Sequence, residues 1–131
     1  ERGFGRVVAI TSAMVKTPKF PMALSTGPRA GLTAFCKALA GEVASDGVTV
    51  NCILPEKVET DRLAQMTRSL ARVRQIDEVN ARAEMVSSIP AGRFGRPSEV
   101  GDACAFLCSD RAGYITGQNL QLDGGAYSGL I

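Results

Sequence analysis

The stretch LSTGPRAGLTAFCKALAGEVASDGVTVNCILP, residues 24–55, decides the fold because a helical pattern runs directly into a strand pattern. Apolar residues recur at helical spacing, which predicts an amphipathic helix that begins near residue 24 and ends before Asp46. Its expected buried stripe consists of Leu32, Phe35, Cys36, Leu39 and Val43. Pro28 is expected in the first turn, where its missing N–H would have no partner. Residues 47–54, GVTVNCIL, form an apolar run typical of a buried strand.

Two further segments have the composition of strands. Residues 6–12, RVVAITS, form a short β-branched apolar run, and residues 117–125, GQNLQLDGG, alternate in character before paired glycines. Strands separated by helices predict a parallel sheet with crossover connections. Three strands are few for such a sheet, and strand 6–12 would remain as a long apolar edge. We therefore predict the second half of a larger α/β sheet, with residues 1–131 forming a single partial domain.

The other helices are predicted from capping residues and apolar spacing. Thr60 or Asp61 caps one helix, and Asp77 could cap the next. The expected stripe of the first of these helices is Leu63, Met66, Leu70 and Val73. Segment 96–110 has Pro97 at a first helical position. Its expected buried residues are Val100, Ala103, Cys104, Leu107 and Cys108.

Composition argues against several classes of function. The 15 basic and 13 acidic residues give a net charge of only +2, which is too weak to indicate a nucleic-acid partner. No apolar run approaches the roughly 18–20 residues that span a bilayer, so no membrane partner is expected. The N-terminus has neither an initiator Met nor a signal-peptide pattern. A cytoplasmic protein is the resulting expectation.

The cysteine and histidine content limits the possible chemistry. The four cysteines are expected to be reduced, buried structural thiols. The sequence contains no His and no paired Cys-x-x-Cys, so we predict no metal site. The lack of His also excludes a Ser-His-Asp triad and removes the commonest general base.

Two stretches resemble the short-chain dehydrogenase/reductase family, which includes the 3-oxoacyl-acyl-carrier-protein reductases. The stronger is GRFGRPSEVGDACAFLCSDRAGYITGQNLQLDGG, residues 92–125, with its Arg-Pro-x-Glu-Val, Phe-Leu-x-Ser, Ile-Thr-Gly and Asp-Gly-Gly elements. The other is ALAGEVASDGVTVNCILP, residues 38–55. The resemblance covers nearly the whole chain. It implies the C-terminal half of a Rossmann-like, doubly wound parallel sheet and an NAD(P)-dependent oxidoreductase.

The resemblance also assigns catalytic positions, at which this sequence departs from the family. Ser12 matches the family's serine at the end of a strand. The family's tyrosine lies thirteen residues further on, with a lysine four beyond it, and these positions hold Ser25 and Arg29. Glu42 supports this register, because it matches the family's glutamate. In the family the tyrosine donates a proton to the carbonyl as hydride arrives, while the lysine lowers the tyrosine pKa and holds the ribose.

The substitution leaves three interpretations open. In the first, Ser12 and Ser25 orient a carbonyl, Arg29 stabilises the developing oxyanion, and water supplies the proton. In the second, the protein is a non-catalytic relative that binds nucleotide or a partner subunit. In the third, Tyr114 or Tyr127 replaces the missing tyrosine. Local sequence also permits simpler roles, with Ser25 as a helix N-cap and Arg29 as a solvated side chain.

The expected cofactor is NADP or NAD, although the glycine-rich pyrophosphate turn does not occur in this sequence. The resemblance implies that Pro55, Val58 and Thr60 belong to the segment that contacts the nicotinamide carboxamide. Glu56 stands where the family has glycine. Thr60 could equally be a plain N-cap.

Residues 61–90 match the place of the family's substrate lid. Candidate lining residues are Leu63, Met66 and Met85, which could also be ordinary core contacts. The arginines of this segment could meet a phosphopantetheine group or an acidic carrier protein, or could form a solvated face; they are Arg62, Arg68, Arg72 and Arg74. The resemblance implies a small-molecule carbonyl or alcohol substrate. It also implies a homodimer or homotetramer packed through the helix that carries Ser25 and Arg29.

Overall fold

The computed structural model describes residues 3–130. One of its two compact units is built around a three-stranded parallel sheet. The central strand is β2 (Val48–Pro55), and it pairs in parallel with β1 (Gly5–Ile10) and β3 (Asn119–Leu122). The predicted parallel sheet is confirmed, although β3 is shorter than expected. β1 lies at an edge as predicted, with Val7 43% exposed.

Side chains of β2 alternate between two cores, which is why this strand is apolar at nearly every position. Val50, Cys52 and Leu54 pack with Cys36 and Ala40 in the first core. The second core contains Ile53 from β2, together with Leu107 and Ala112. The sheet therefore has helices on both faces, as a doubly wound fold requires.

The first core is covered by α1 (Ala23–Val43), whose buried face differs from the prediction. Cys36 is buried as expected, and Leu39 and Val43 pack at the margin. Leu32 and Phe35 point outward instead, and Phe35 is 62% exposed. The fully buried face consists of Thr26, Thr33, Cys36 and Ala40. These small side chains let the helix axis approach the sheet closely.

Pro28 does not lie in the first turn of α1, contrary to the prediction. A 3₁₀ turn (Phe20–Met22) precedes the helix, which begins at Ala23, so Pro28 is its sixth residue. A proline there cannot donate to the C=O of Leu24, which loses its intrahelical partner. Leu24 is 96% exposed, so water reaches this part of the helix.

The second core is covered by α4 (Pro97–Cys108), which begins at Pro97 as predicted. Leu107 is buried, and three of its neighbours on α4 are partly buried: Val100, Ala103 and Cys104. Cys108 is exposed rather than buried. It is the last residue of the helix, and the chain turns away into a 3₁₀ turn (Asp110–Ala112).

The buried amide of Asn51 fixes the turn that leads into β3. Its Nδ2 donates to the C=O of Ile115 at 2.8 Å, and its Oδ1 accepts from the N–H of Gln118 at 3.0 Å. Gly117 occupies the left-handed region with φ of 66° and donates its N–H to the C=O of Val50 at 2.7 Å. A residue with a Cβ would be strained at that φ.

The other unit comprises residues 57–97 and 123–130. It contains α2 (Asp61–Arg74) and α3 (Glu78–Ser87), capped by Thr60 and Asp77 as predicted. Its core cluster is Leu63, Ile89 and Phe94. The stripe predicted for α2 is wrong at Met66 and Val73, which are exposed, while Leu70 is half-buried. The fully buried residues are Leu63, Thr67 and Ala71. That row follows strict i, i+4 spacing and packs closely because two of its members are small.

The buried Cys52 thiol makes the free energy of unfolding depend on pH in the alkaline range. Burial, together with the neighbouring Cys36, raises the pKa of Cys52 from 9.0 to about 11. The unfolded chain therefore loses this proton at a lower pH than the folded chain, so stability is full below pH 9 and falls as the pH rises toward 11.

We expect the free energy of unfolding by urea, measured under reducing conditions, to fall more steeply from about pH 8 to about pH 11 for the native chain than for Cys52→Ala. The variant is the control because other groups that titrate in this range are common to both proteins. Parallel curves for the two proteins would contradict the assignment.

Candidate functional site

Ser25 and Arg29 face each other on one turn of α1. Nη1 of Arg29 donates to Oγ of Ser25 at 2.5 Å and to the C=O of Ser25 at 2.7 Å. The i, i+4 spacing of the two residues brings them to the same helix face. Arg29 is exposed and Ser25 is half-buried, so the contact lies at the surface of the unit.

The remaining donors of Arg29 are important for what this pair can bind. A guanidinium carries five N–H donors, and both recorded bonds to Ser25 use a single nitrogen. Because Oγ of Ser25 accepts from Arg29, its own O–H proton is directed elsewhere. The pair can therefore present a hydroxyl donor and a cation to one anionic or carbonyl oxygen.

The structure contradicts the simple N-cap role for Ser25. The N-cap position of α1 is Met22, and Ser25 is the third residue of the helix. Arg29 is exposed, as its simpler role requires, but its side chain is tied to Ser25 rather than freely solvated.

Ser12 follows β1 and begins a 3₁₀ turn (Ala13–Val15). Its Oγ accepts from the N–H of Met14 at 3.2 Å. Among the described residues, no hydrogen bond joins Ser12 to Ser25 or Arg29. The structure thus brings two of the three predicted catalytic residues into contact, while the role of Ser12 stays a prediction.

Thr11 and Thr33 connect the end of β1 to the turn that carries Arg29, and sequence reasoning missed both. Thr33 Oγ1 donates to the C=O of Arg29 at 2.8 Å and lies 3.3 Å from Oγ1 of Thr11. Both threonines are buried. Thr33 lies four residues after Arg29, and that spacing was the one signal that could have identified it.

Thr26, next to Ser25, was also missed. Its side chain is buried with 6% exposure, and its hydroxyl lacks a hydrogen-bond partner within residues 3–130. A buried hydroxyl without a partner costs roughly 1–3 kcal/mol. Thr49 of β2 has the same deficit.

The residues predicted to contact the cofactor are ordered by local hydrogen bonds. Pro55 is the last residue of β2 and lies opposite Leu122 of β3. In the other unit, Thr60 caps α2 by accepting from the N–H of Leu63 at 3.4 Å, so the simple N-cap role is confirmed. Val58 forms a parallel bridge with Gly95.

The bridge with Gly95 uses the backbone groups on either side of Val58, while the C=O of Val58 accepts from Oγ1 of Thr60 at 3.4 Å. The C=O of Lys57 accepts from Gly95, and the N–H of Glu59 donates to Gly95. The N–H of Val58 therefore points to the opposite edge of this extended segment. A carboxamide oxygen is an acceptor, so the N–H of Val58 could donate to it.

Lys57 and Arg82 hold this segment against α3. Lys57 has φ of 51°, in the left-handed region, and its Nζ donates to the C=O of Met85 at 3.2 Å and to Oγ of Ser88. Arg82 pairs with Glu59 and lies over the Phe94 ring at 4.5 Å. The segment 57–59 is therefore anchored on both sides of Val58.

The predicted lid residues divide into core and surface groups. Leu63 is buried in the core of its unit, with Met85 packed beside it. Met66 is 41% exposed and is the lining candidate with a free surface. The four arginines are exposed, and Arg74 pairs with Glu84 at 3.2 Å.

Residues 3–130, the part of the chain that the structure describes, contain neither a membrane-spanning helix nor a metal-binding cluster. No helix in that part of the chain is long and apolar enough to span a membrane. No group of three or more His, Cys, Asp or Glu side chains there is arranged to hold a metal ion.

Comparison with known proteins settles the family. Residues 1–127 match the family model described as enoyl-(acyl carrier protein) reductase. The chain belongs to the short-chain dehydrogenase/reductase family. The family and fold class predicted from the sequence are thereby confirmed.

Curated relatives include 3-oxoacyl-[acyl-carrier-protein] reductase FabG of Escherichia coli, which is 42% identical over 123 residues. That match covers 94% of this chain and 46% of the relative. The acetoacetyl-CoA reductase of Allochromatium vinosum is 41% identical over 127 residues, which cover 97% of this chain and 47% of the relative. This chain of the short-chain dehydrogenase/reductase family thus spans about half the length of the curated relatives it matches.

Two solved structures match at a TM-score of 0.90 and 32% identity. One is YwfH, an NADPH-dependent reductase involved in bacilysin biosynthesis, and the other is an actinorhodin polyketide ketoreductase with NADPH. Each match covers 98% of this chain and 49% of the other chain.

Valine substitutions at Thr33 and Thr49 form a matched pair that tests the hydrogen bonds from Thr33 to Arg29 and Thr11. We expect Thr33→Val to lower the free energy of unfolding by about 1–2 kcal/mol, because it removes the bonds to Arg29 and Thr11. Thr49→Val should be neutral or stabilising, because it removes a hydroxyl that has no partner. Urea unfolding at neutral pH measures both, and equal losses for the two variants would contradict this account.

Proposed function

We propose that this chain supplies the substrate-binding half of an NAD(P)-dependent oxidoreductase acting on a carbonyl or alcohol substrate. The observation that carries the proposal is the contact between Arg29 and Ser25, at the positions of the family's lysine and tyrosine. The 3-oxoacyl class is the first substrate class to test, because reductases of 3-oxoacyl and acetoacetyl thioesters are named among the relatives.

The chemistry assigned to the site does not need a tyrosine. The nicotinamide supplies the hydride when it is bound. The Ser25 hydroxyl and the unused donors of Arg29 bind the substrate oxygen and stabilise the negative charge that develops there. An arginine stays protonated and cannot relay a proton, so water protonates the product oxygen. Ser12 is proposed to orient the same oxygen.

The cofactor is proposed to be NADP or NAD, and NADPH is the form to test first. Support comes from the two similar solved structures, of which one is an NADPH-dependent reductase and the other a ketoreductase with NADPH. Val58 would bind the carboxamide through its backbone N–H, which points away from Gly95. Thr60 would keep that N–H in place by capping α2, and Pro55 would end the strand before the segment.

A homodimer or homotetramer in the cytoplasm completes the proposal. The apolar side chains that α1 exposes support an interface on the helix that carries the site. They are Leu24, Leu32 and Phe35.

The competing function is a non-catalytic relative that binds nucleotide or a partner subunit. It is favoured by the replacement of the family's proton donor with a serine, which is a far weaker acid than tyrosine. Both functions are tested on the complete gene product that contains this chain. Its intact mass should first show whether a glycine-rich nucleotide half is present.

Arg29→Ala should lower kcat/KM for a 3-oxoacyl thioester with NADPH by about 10²–10³, because it removes the cation that binds the oxyanion. Arg111→Ala is the control, since Arg111 is an exposed arginine in the turn after α4. Nucleotide binding without turnover of any carbonyl substrate in a broad panel would favour the non-catalytic function instead.

Restoring the family pair gives a test in the opposite direction. Ser25→Tyr combined with Arg29→Lys should raise ketone reduction by about 10²-fold, because a proton donor then faces the substrate oxygen. The control is Ser25→Phe with Arg29→Lys, which adds the ring without the hydroxyl. Equal rates for the two double variants would show that this helix face is remote from the reacting carbonyl.

A further inference from the structure

The chain contains two pairs of neighbouring cysteines whose environments are opposite. Cys36 and Cys52 lie in the first core with exposures of 5% and 1%. Cys104 and Cys108 lie on α4, where Cys104 is partly buried against the second core and Cys108 is exposed. All four are free thiols. Solvent therefore reaches only one of the two pairs.

The α4 thiols lie on the same face of the helix. They are four residues apart on α4, which makes them neighbours along that face. The end of the helix is closed by Ser109, whose N–H and Oγ both donate to the C=O of Phe106, at 3.0 and 2.7 Å. The pair thus sits on a fixed backbone rather than on a loop.

This spacing disfavours a direct disulfide. Cβ atoms at i and i+4 of a helix lie about 5–6 Å apart. A disulfide requires a Cβ separation of about 3.5–4.5 Å, so closing one would unwind the last turn of α4. A single bridging atom between the sulfurs relieves this constraint, since it lengthens the link without moving the backbone.

The atom that bridges the two thiols must be one that is stably bound by only two sulfur ligands of the protein. Zinc prefers four protein ligands in structural sites, and residues 3–130 offer no third ligating side chain at this pair. A linear two-coordinate ion would hold the two sulfurs on opposite sides of the ion and so push them apart. A pyramidal centre with bond angles near a right angle keeps them close together.

We propose that Cys104 and Cys108 form a chelating site for a trivalent arsenical that carries one organic substituent and two exchangeable oxygen ligands. Two As–S bonds form and two As–OH bonds break, and each thiol proton leaves with a hydroxide as water. Arsenic stays trivalent, so the step needs no oxidant or reductant. The exposed Cys108 bonds first, and Cys104 then closes the ring.

The probe is phenylarsine oxide, added to the complete gene product that contains this chain under reducing conditions and detected by intact mass and peptide mapping. We expect one adduct per chain, bound to the peptide that contains Cys104 and Cys108. The adduct should survive millimolar 2-mercaptoethanol and be reversed by dithiothreitol, because only a dithiol can form a chelate ring with arsenic that competes with the one formed by Cys104 and Cys108. Cys104→Ser and Cys108→Ser should each weaken binding about 100-fold or more by removing that ring.

Two controls separate the chelate from other thiol reactions. Cys36→Ala should bind as tightly as the native chain, because the core pair takes no part. If the Cys36→Ala variant does not fold, peptide mapping of the native protein still shows whether the adduct lies on the core cysteines. An adduct removed by 2-mercaptoethanol, unchanged binding in Cys104→Ser, or an adduct mapped to Cys36 and Cys52 would overturn the proposal.

Discussion

The burial of β2 on both faces is the constraint on which the rest of the parallel sheet unit depends. Val50, Cys52 and Leu54 require a cover on one side, and Ile53 requires one on the other. α1 and α4 supply these covers, so their positions follow from the alternation of one strand. Asn51, on the same strand, fixes the turn before β3 through side-chain hydrogen bonds to Ile115 and Gln118. Ser25 and Arg29 lie on the same stripe of α1 as the buried Thr33, so the position of this pair is set by the packing of that helix face.

The candidate site is built from one turn of α1 and the end of β1. Ser25 and Arg29 lie one helical turn apart and are in contact. Thr33 and Thr11 tie that turn to the end of β1 through buried hydroxyls. Under the proposed function, a short hydroxyl and a fixed cation stand where the family has a tyrosine and a lysine. Such a site favours binding of a negative oxygen over delivery of a proton.

Sequence patterns predicted the elements well and their buried faces less well. β2 and the caps at Thr60 and Asp77 were recognisable because continuous apolar runs and capping side chains act locally. The outward position of Phe35 was not predictable, because a close approach of α1 to the sheet selects small side chains over large ones. The link through Thr33 was hidden for a similar reason, since a threonine at helical spacing gives no sign of its partner in another element. Sequence spacing places Ser25 and Arg29 on one helix face, but their hydrogen bond is known only from the structure.

Pro28 has a consequence for the motion of α1. Because it lacks an N–H, the hydrogen-bond ladder is interrupted at the C=O of Leu24, one residue before Ser25. The side chain of Arg29 reinforces the next carbonyl, that of Ser25, as well as the hydroxyl. The first turn of α1 therefore opens at a lower free energy than the body of the helix, and its amide hydrogens exchange sooner. An anion that draws Arg29 away from Ser25 would loosen this turn, so occupancy of the site and order at the start of the helix are thermodynamically linked.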